Sequence, residues 1–165
     1  MRKHLFEGMI RTPLTEAAPL PDDAALAAML DRTARRRLGR SLAIRVVDAG
    51  SCNGCELAIH ALNNAFYDLE RFGLHFVASP RHADVLLVTG PVTANMREAL
   101  ERTYRAIPDP KWVVALGDCA LDGGMFAGSY ACIGGVAAVT PVHLHIRGCP
   151  PQPKQILTGL LALLA

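Results

Sequence analysis

Four cysteines pose the chemical question in this sequence. Cys52-Asn53-Gly54-Cys55 sets two thiols two residues apart, and Cys119 and Cys149 follow singly. Thiolates are soft metal ligands and good nucleophiles, so three chemistries are open. A redox dithiol needs only the Cys52–Cys55 pair and leaves Cys119 and Cys149 without a task. A structural zinc site with four thiolates usually draws on two close pairs, whereas here the later two stand alone. A four-iron cluster needs four thiolates around a wider cavity. Gly50, Gly54, Gly117 and Gly148 lie beside the cysteines, where they let the backbone approach closely and offer amide donors to inorganic sulfide. Pro150 and Pro151 stiffen the chain after Cys149. Spacing alone keeps all three chemistries in play. The fifth cysteine, Cys132, sits in Tyr130-Ala131-Cys132-Ile133 and reads as a buried free thiol.

Other polar residues have simpler readings. Glu56 follows Cys55 at a helix start, where an acid interacts well with the dipole; its functional alternative is proton transfer or a salt bridge at a subunit interface. Asp118, beside Cys119, reads as a turn former. His143 and His145 alternate on one strand face and read as structural or interfacial, and His60, His75 and His82 as structural. Thr93 reads as the N-cap of the following helix. Thr89, Gly90 and Pro91, at a strand end, are placed to line the cysteine pocket through backbone groups. The sequence has no Gly-x-x-x-x-Gly-Lys-Ser/Thr motif and no Gly-x-Gly-x-x-Gly after a strand.

The elements that must position the cysteines follow from the hydrophobic pattern. The chain has 165 residues, 51% hydrophobic and 19% charged, enough for one buried core and against disorder. Its net charge of +2 is too mild to argue for nucleic acid. No run approaches the roughly 20 apolar residues of a membrane span, no signal peptide is read at the start, and an odd cysteine count argues against a disulfide scaffold. Residues 1–40 read as an N-terminal arm and an amphipathic helix over 22–38. Its cluster of Arg32, Arg35, Arg36, Arg37 and Arg40 suits subunit or membrane-side contacts. Residues 41–165 read as one α/β domain. Strands are expected at 42–47, 74–78, 85–89, 112–116 and 141–146, and helices at 56–72, 94–107 and 153–164. Strands alternating with helices predict a flavodoxin-like, mostly parallel sheet with helices on both faces. Cys52, Cys55, Cys119 and Cys149 then fall in three loops beyond the carboxyl ends of strands, where such sheets collect ligands.

Several segments together resemble a known family. They are Ser51-Cys52-Asn53-Gly54-Cys55-Glu56, Ser79-Pro80-Arg81-His82-Ala83-Asp84 through Gly90, Gly117-Asp118-Cys119-Ala120, Gly123-Gly124 and Ile146-Arg147-Gly148-Cys149-Pro150-Pro151. The resemblance, over about residues 41–164, is to the small electron-transfer subunit of membrane-bound nickel–iron hydrogenases of the formate hydrogenlyase type. That subunit is related to the 20 kDa cluster-carrying subunit of respiratory complex I. The resemblance implies one 4Fe–4S cluster on Cys52, Cys55, Cys119 and Cys149, with Cys132 outside the ligand set. It implies a separate large subunit holding the nickel–iron centre, further iron–sulfur subunits and membrane subunits as partners, and a peripheral place on the cytoplasmic side of the inner membrane. The complex I subunit typically carries two adjacent cysteines where this chain has a spaced pair, which favours the hydrogenase side. A complex-I-like subunit delivering electrons to quinone is the alternative.

Overall fold

The structure, a computed structural model, describes residues 40–164; the arm and Arg-rich helix expected over 1–39 lie outside the described residues. Five strands form one sheet: β1 Leu42–Asp48, β2 Leu74–Phe76, β3 Val85–Thr89, β5 Trp112–Leu116 and β7 Leu144–Ile146. They lie in the order β2-β1-β3-β5-β7, all neighbours parallel. This is the doubly wound order of the flavodoxin-like class, with its switch point between β1 and β3. A second, two-stranded antiparallel ribbon pairs β4 Val92–Thr93 with β6 Cys132–Gly134.

Alternation along the strands sends side chains to two opposite cores. On one face Leu42, Ile44, Leu87, Val114, Leu116 and Ile146 pack under α1 (Gly54–Ala61) and α4 (Pro153–Leu164), through Ile59, Leu62, Ile156 and Leu160. On the other, Val47, Leu86, Val88, Val113 and Ala115 pack with Leu100 of α2 (Arg97–Ala106) and Ala120 of α3 (Asp118–Asp122). Strands buried on both faces read as continuous apolar runs, and β3 is buried at every residue. Arg40, from the basic cluster, hydrogen-bonds from the surface to the buried Asp84 carboxylate at 2.5 Å, which also accepts from the Ala43 N–H at 3.0 Å.

Several expectations fail locally: β2 ends at Phe76 rather than 78, and β7 begins at Leu144 rather than 141, so His143 lies ahead of the strand. The helix expected over 56–72 ends at Ala61, although its apolar spacing continues. Asn64 Oδ1 accepts the backbone N–H groups of Phe66 and Tyr67 at 2.9 Å, and Asp68 adopts φ 46° before a short 3-10 turn over Leu69–Phe72. Local side-chain bonding has displaced the helix ladder. Thr93 does not cap α2, whose N-cap position is Met96. It lies in β4 instead, and both its N–H and its hydroxyl donate to the Ala49 carbonyl, at 2.9 and 3.0 Å.

Candidate metal centre

Three loops leave the carboxyl ends of β1, β5 and β7, and each has its own device for holding a thiol. After β1, Asp48 Oδ1 accepts the N–H groups of Gly50 and Ser51 at 2.8 and 2.7 Å, and Ser51 Oγ accepts that of Asn53 at 3.1 Å. Asn53 then takes the left-handed conformation, φ 71°, and its carbonyl accepts the Leu57 N–H of the first turn of α1. Cys52 thus lies just ahead of a helix and Cys55 within its first turn. Gly90, after β3, supports this loop by contact, because a Cβ there would sit 2.4 Å from the Ser51 nitrogen. Thr89 bonds inward, its carbonyl taking the Ala49 N–H and its hydroxyl donating to the Val47 carbonyl. Both residues serve the loop's shape.

After β5, Gly117 turns the chain with φ 90° and ψ 160° and delivers Cys119 into α3. Gly123 and Gly124, both at positive φ, fold the following segment back, so that the Met125 N–H comes near the Cys119 sulfur and favours its thiolate. After β7, Gly148 at φ 136° precedes Cys149. The Asp118 N–H donates to the Gly148 carbonyl at 3.0 Å, and Asp118 Oδ1 accepts the Gly148 N–H at 3.0 Å. Asp118 therefore ties two cysteine loops together across 30 residues of chain, a longer reach than the local turn its type suggests.

The four thiols share one electrostatic neighbourhood. Burial, foremost, pushes the Cys55 thiol up to about 12, helped by the charges of Glu56, Cys52, Cys119 and Cys149. Burial also raises the Cys119 thiol; the Met125 N–H pulls the other way, and Cys149, Cys52 and Asp118 add to the rise. Cys132 belongs to neither set of influences; it lies partly buried in the ribbon, opposite Thr93. All five thiols are free, with Cys52 and Cys149 exposed and Cys55 and Cys119 partly buried. Glycine keeps space beside two sulfurs: a Cβ at Gly117 would lie 2.7 Å from Cys55 Sγ and one at Gly124 2.7 Å from Cys119 Sγ. Among the described residues no three His, Cys, Asp or Glu side chains gather tightly enough to hold a single metal ion. Soft donors spread over three loops, with glycine clearing the space between, fit a multi-atom cluster better than one zinc ion.

Residues 52–163 match the family described as "NADH ubiquinone oxidoreductase, 20 Kd subunit". The chain belongs to this family. It is 42% identical over 141 residues to formate hydrogenlyase subunit 7 of Escherichia coli, covering 86% of this chain and 55% of that relative. It is 45% identical over 127 residues to a probable membrane-bound hydrogenase subunit of Pyrococcus furiosus, covering 77% and 76%. An uncharacterised protein of Methanocaldococcus jannaschii is 48% identical over 122 residues, covering 74% and 82%. Among solved structures, a chain of the membrane-bound sulfane sulfur reductase, described as an archaeal respiratory membrane complex, superposes with a TM-score of 0.68. It is 36% identical, and the match covers 82% of this chain and 73% of that one. Among the described residues no helix is long and apolar enough to cross a membrane.

The polar candidates outside the thiol set divide. Both Glu56 carboxylate oxygens are buried without a hydrogen-bond partner among the described residues, a costly state for a group beside Cys55. His143 has a structural role, its Nδ1 accepting the Val113 N–H at 3.0 Å. His145 is exposed on β7. Sequence reasoning missed Asp48, although Asp-x-Gly-Ser after a strand is an Asx-turn signal. It also missed the Met125 amide, which no residue type announces.

Proposed function

We propose that this chain is an electron-transfer subunit carrying one 4Fe–4S cluster on Cys52, Cys55, Cys119 and Cys149. In this reading it is the non-catalytic partner of a large subunit that holds a nickel–iron site, within a membrane-bound hydrogenase complex. The observation that carries the reading is the convergence of these four thiols from three strand ends, in a chain of this family. When bound, such a cluster supplies one-electron redox chemistry. The chain's own part is to hold four thiolates, to offer amide donors such as Met125 N–H to sulfur, and to limit water around Cys55.

The surface beside Cys119 supports a covering partner. Met125 is 90% exposed and Tyr130 fully so, with Phe126 and Ile133 also exposed, on the segment that folds back beside Cys119. Exposed aromatic and methionine side chains in one stretch mark an interaction site. Further iron–sulfur subunits and membrane subunits complete the proposed assembly, which places the chain peripherally on the cytoplasmic side of the inner membrane. Glu56, unpartnered among the described residues, is reserved for proton transfer or for a donor from the large subunit.

Iron and acid-labile sulfide, measured on anaerobically purified protein beside Cys119→Ser, test the reading. About four of each per chain are expected, falling sharply in the variant. Zinc, or no metal in protein isolated with its partner, overturns it. The family description favours a second reading, a complex-I-like subunit delivering electrons to quinone. Quinone reduction without hydrogen evolution by the purified complex would select it.

A further inference from the structure

We propose that Asp118 is a positioning residue, fixing the loop that carries Cys149 against the loop that carries Cys119. The inference rests on the proposed ligand set and deepens it.

The paired register of β5 and β7 ends at Leu116 and Ile146, just short of the two thiols. One further backbone bond, Gly117 N–H to the Ile146 carbonyl at 2.7 Å, continues the contact. There Gly117 swings away into α3 and the sheet has nothing more to hold. The Cys149 loop is poorly able to anchor itself, because Pro150 and Pro151 have no N–H to donate. Asp118 takes over from the sheet. Its N–H and its carboxylate engage both polar groups of Gly148, each at 3.0 Å, so a single residue grips Gly148 at two points. Gly148 is confined on its other side as well, since a Cβ there would lie 2.6 Å from Pro151 Cα. Cys119 and Cys149 are the immediate chain neighbours of the gripping and the gripped residue. Releasing the carboxylate leaves one bond and allows the Cys149 loop to rotate about it.

Asp118 also carries a charge near Cys119, so geometry and charge have to be separated. Asp118→Asn keeps the acceptor oxygen and removes the charge, whereas Asp118→Ala removes both. The first readout uses the full chain without metal, with Cys52, Cys55 and Cys132 changed to Ser, and measures the rate at which dibromobimane bridges Cys119 to Cys149. The second uses the anaerobically purified protein and follows bleaching of its visible absorbance by an iron chelator. A hydrogen bond of ordinary strength corresponds to about a tenfold effect on a local equilibrium. Asp118→Ala should therefore bridge and bleach at rates about tenfold different from wild type, slower in the first assay and faster in the second. Asp118→Asn should stay within about twofold of wild type in both. Equal behaviour of the two variants, whether like wild type or equally altered, overturns the positioning role. Loss of the far-ultraviolet helical signal in Asp118→Ala overturns it too, by making Asp118 a requirement of the fold. Absence of iron from the wild type defeats the cluster reading alone, because the bridging assay needs no metal.

Discussion

Replacing Gly117 by alanine probes the thiol arrangement through a single carbon atom. At φ 90° and ψ 160° the residue occupies backbone space that is essentially reserved for glycine, at a cost of about 1–3 kcal/mol for any side chain. The new Cβ would lie 2.7 Å from Cys55 Sγ, where ordinary contact begins near 3.4 Å, so the sulfur must retreat by about 0.7 Å. The Gly148 carbonyl, 3.4 Å away, limits escape by the backbone. Gly128→Ala is the internal control, with φ 81° but, among the described residues, nothing within 4 Å of its Cβ. The control should lose about 1 kcal/mol in anaerobic urea unfolding, from backbone strain alone. Gly117→Ala should lose about 3 kcal/mol, and its iron per chain should fall several-fold while the control keeps its iron. Equal stabilities, with iron retained in both, would refute the claim that Gly117 keeps the space for Cys55.

Other perturbations test other layers. In the metal-free protein at pH 8, a Cys55 thiol raised to about 12 should be alkylated by iodoacetamide later than the exposed Cys52 and Cys149, as read by mass spectrometry. Because the folded thiol holds its proton to higher pH than the unfolded one, that stabilisation is present below the ordinary thiol range. It should be lost as pH climbs from there towards about 12, lowering the urea midpoint. Leu87→Ala, at a fully buried position on the central strand, should cost about 3–4 kcal/mol in urea unfolding. Asn53→Gly should leave both stability and metal content nearly unchanged at φ 71°, whereas Asn53→Val should cost about 1–2 kcal/mol. Asp84→Ala strands the buried Ala43 N–H and should cost about 1–3 kcal/mol in the same measurement.

What the sequence reveals depends on how local the cause is. β3, β5 and α4 are found at the residues where hydrophobic pattern and proline placement put them. Their signals lie within the element, as continuous apolar runs or a proline-initiated helix. The end of α1 is not legible from periodicity, because Asn64 and Asp68 stop the helix through side-chain bonding and left-handed backbone while the apolar spacing runs on. The β4–β6 ribbon is missed for the opposite reason. It joins two very short strands across a long stretch of chain, so neither carries a pattern of its own. The four thiols are visible by type, and alternation of strands and helices places them at one sheet edge. What the structure adds is second-layer detail: the Met125 amide on Cys119, the glycines that clear space at Cys55 and Cys119, and the Asp118 contact to Gly148.

The spread of the thiols along the chain also sets the order in which the protein can be made. Cys52 follows the first strand of the sheet and Cys149 the last. During synthesis the pair at 52 and 55 emerges early, Cys119 only after β5, and Cys149 only after β7, near the end of the domain. On the proposed ligand set, a cluster can be completed only after β7 has been synthesised. A group bound there fastens the loop of β1 to that of edge strand β7, opposing its peeling from the sheet. On that reading a chain cut short before β7 lacks both the edge strand of the sheet and the fourth proposed ligand.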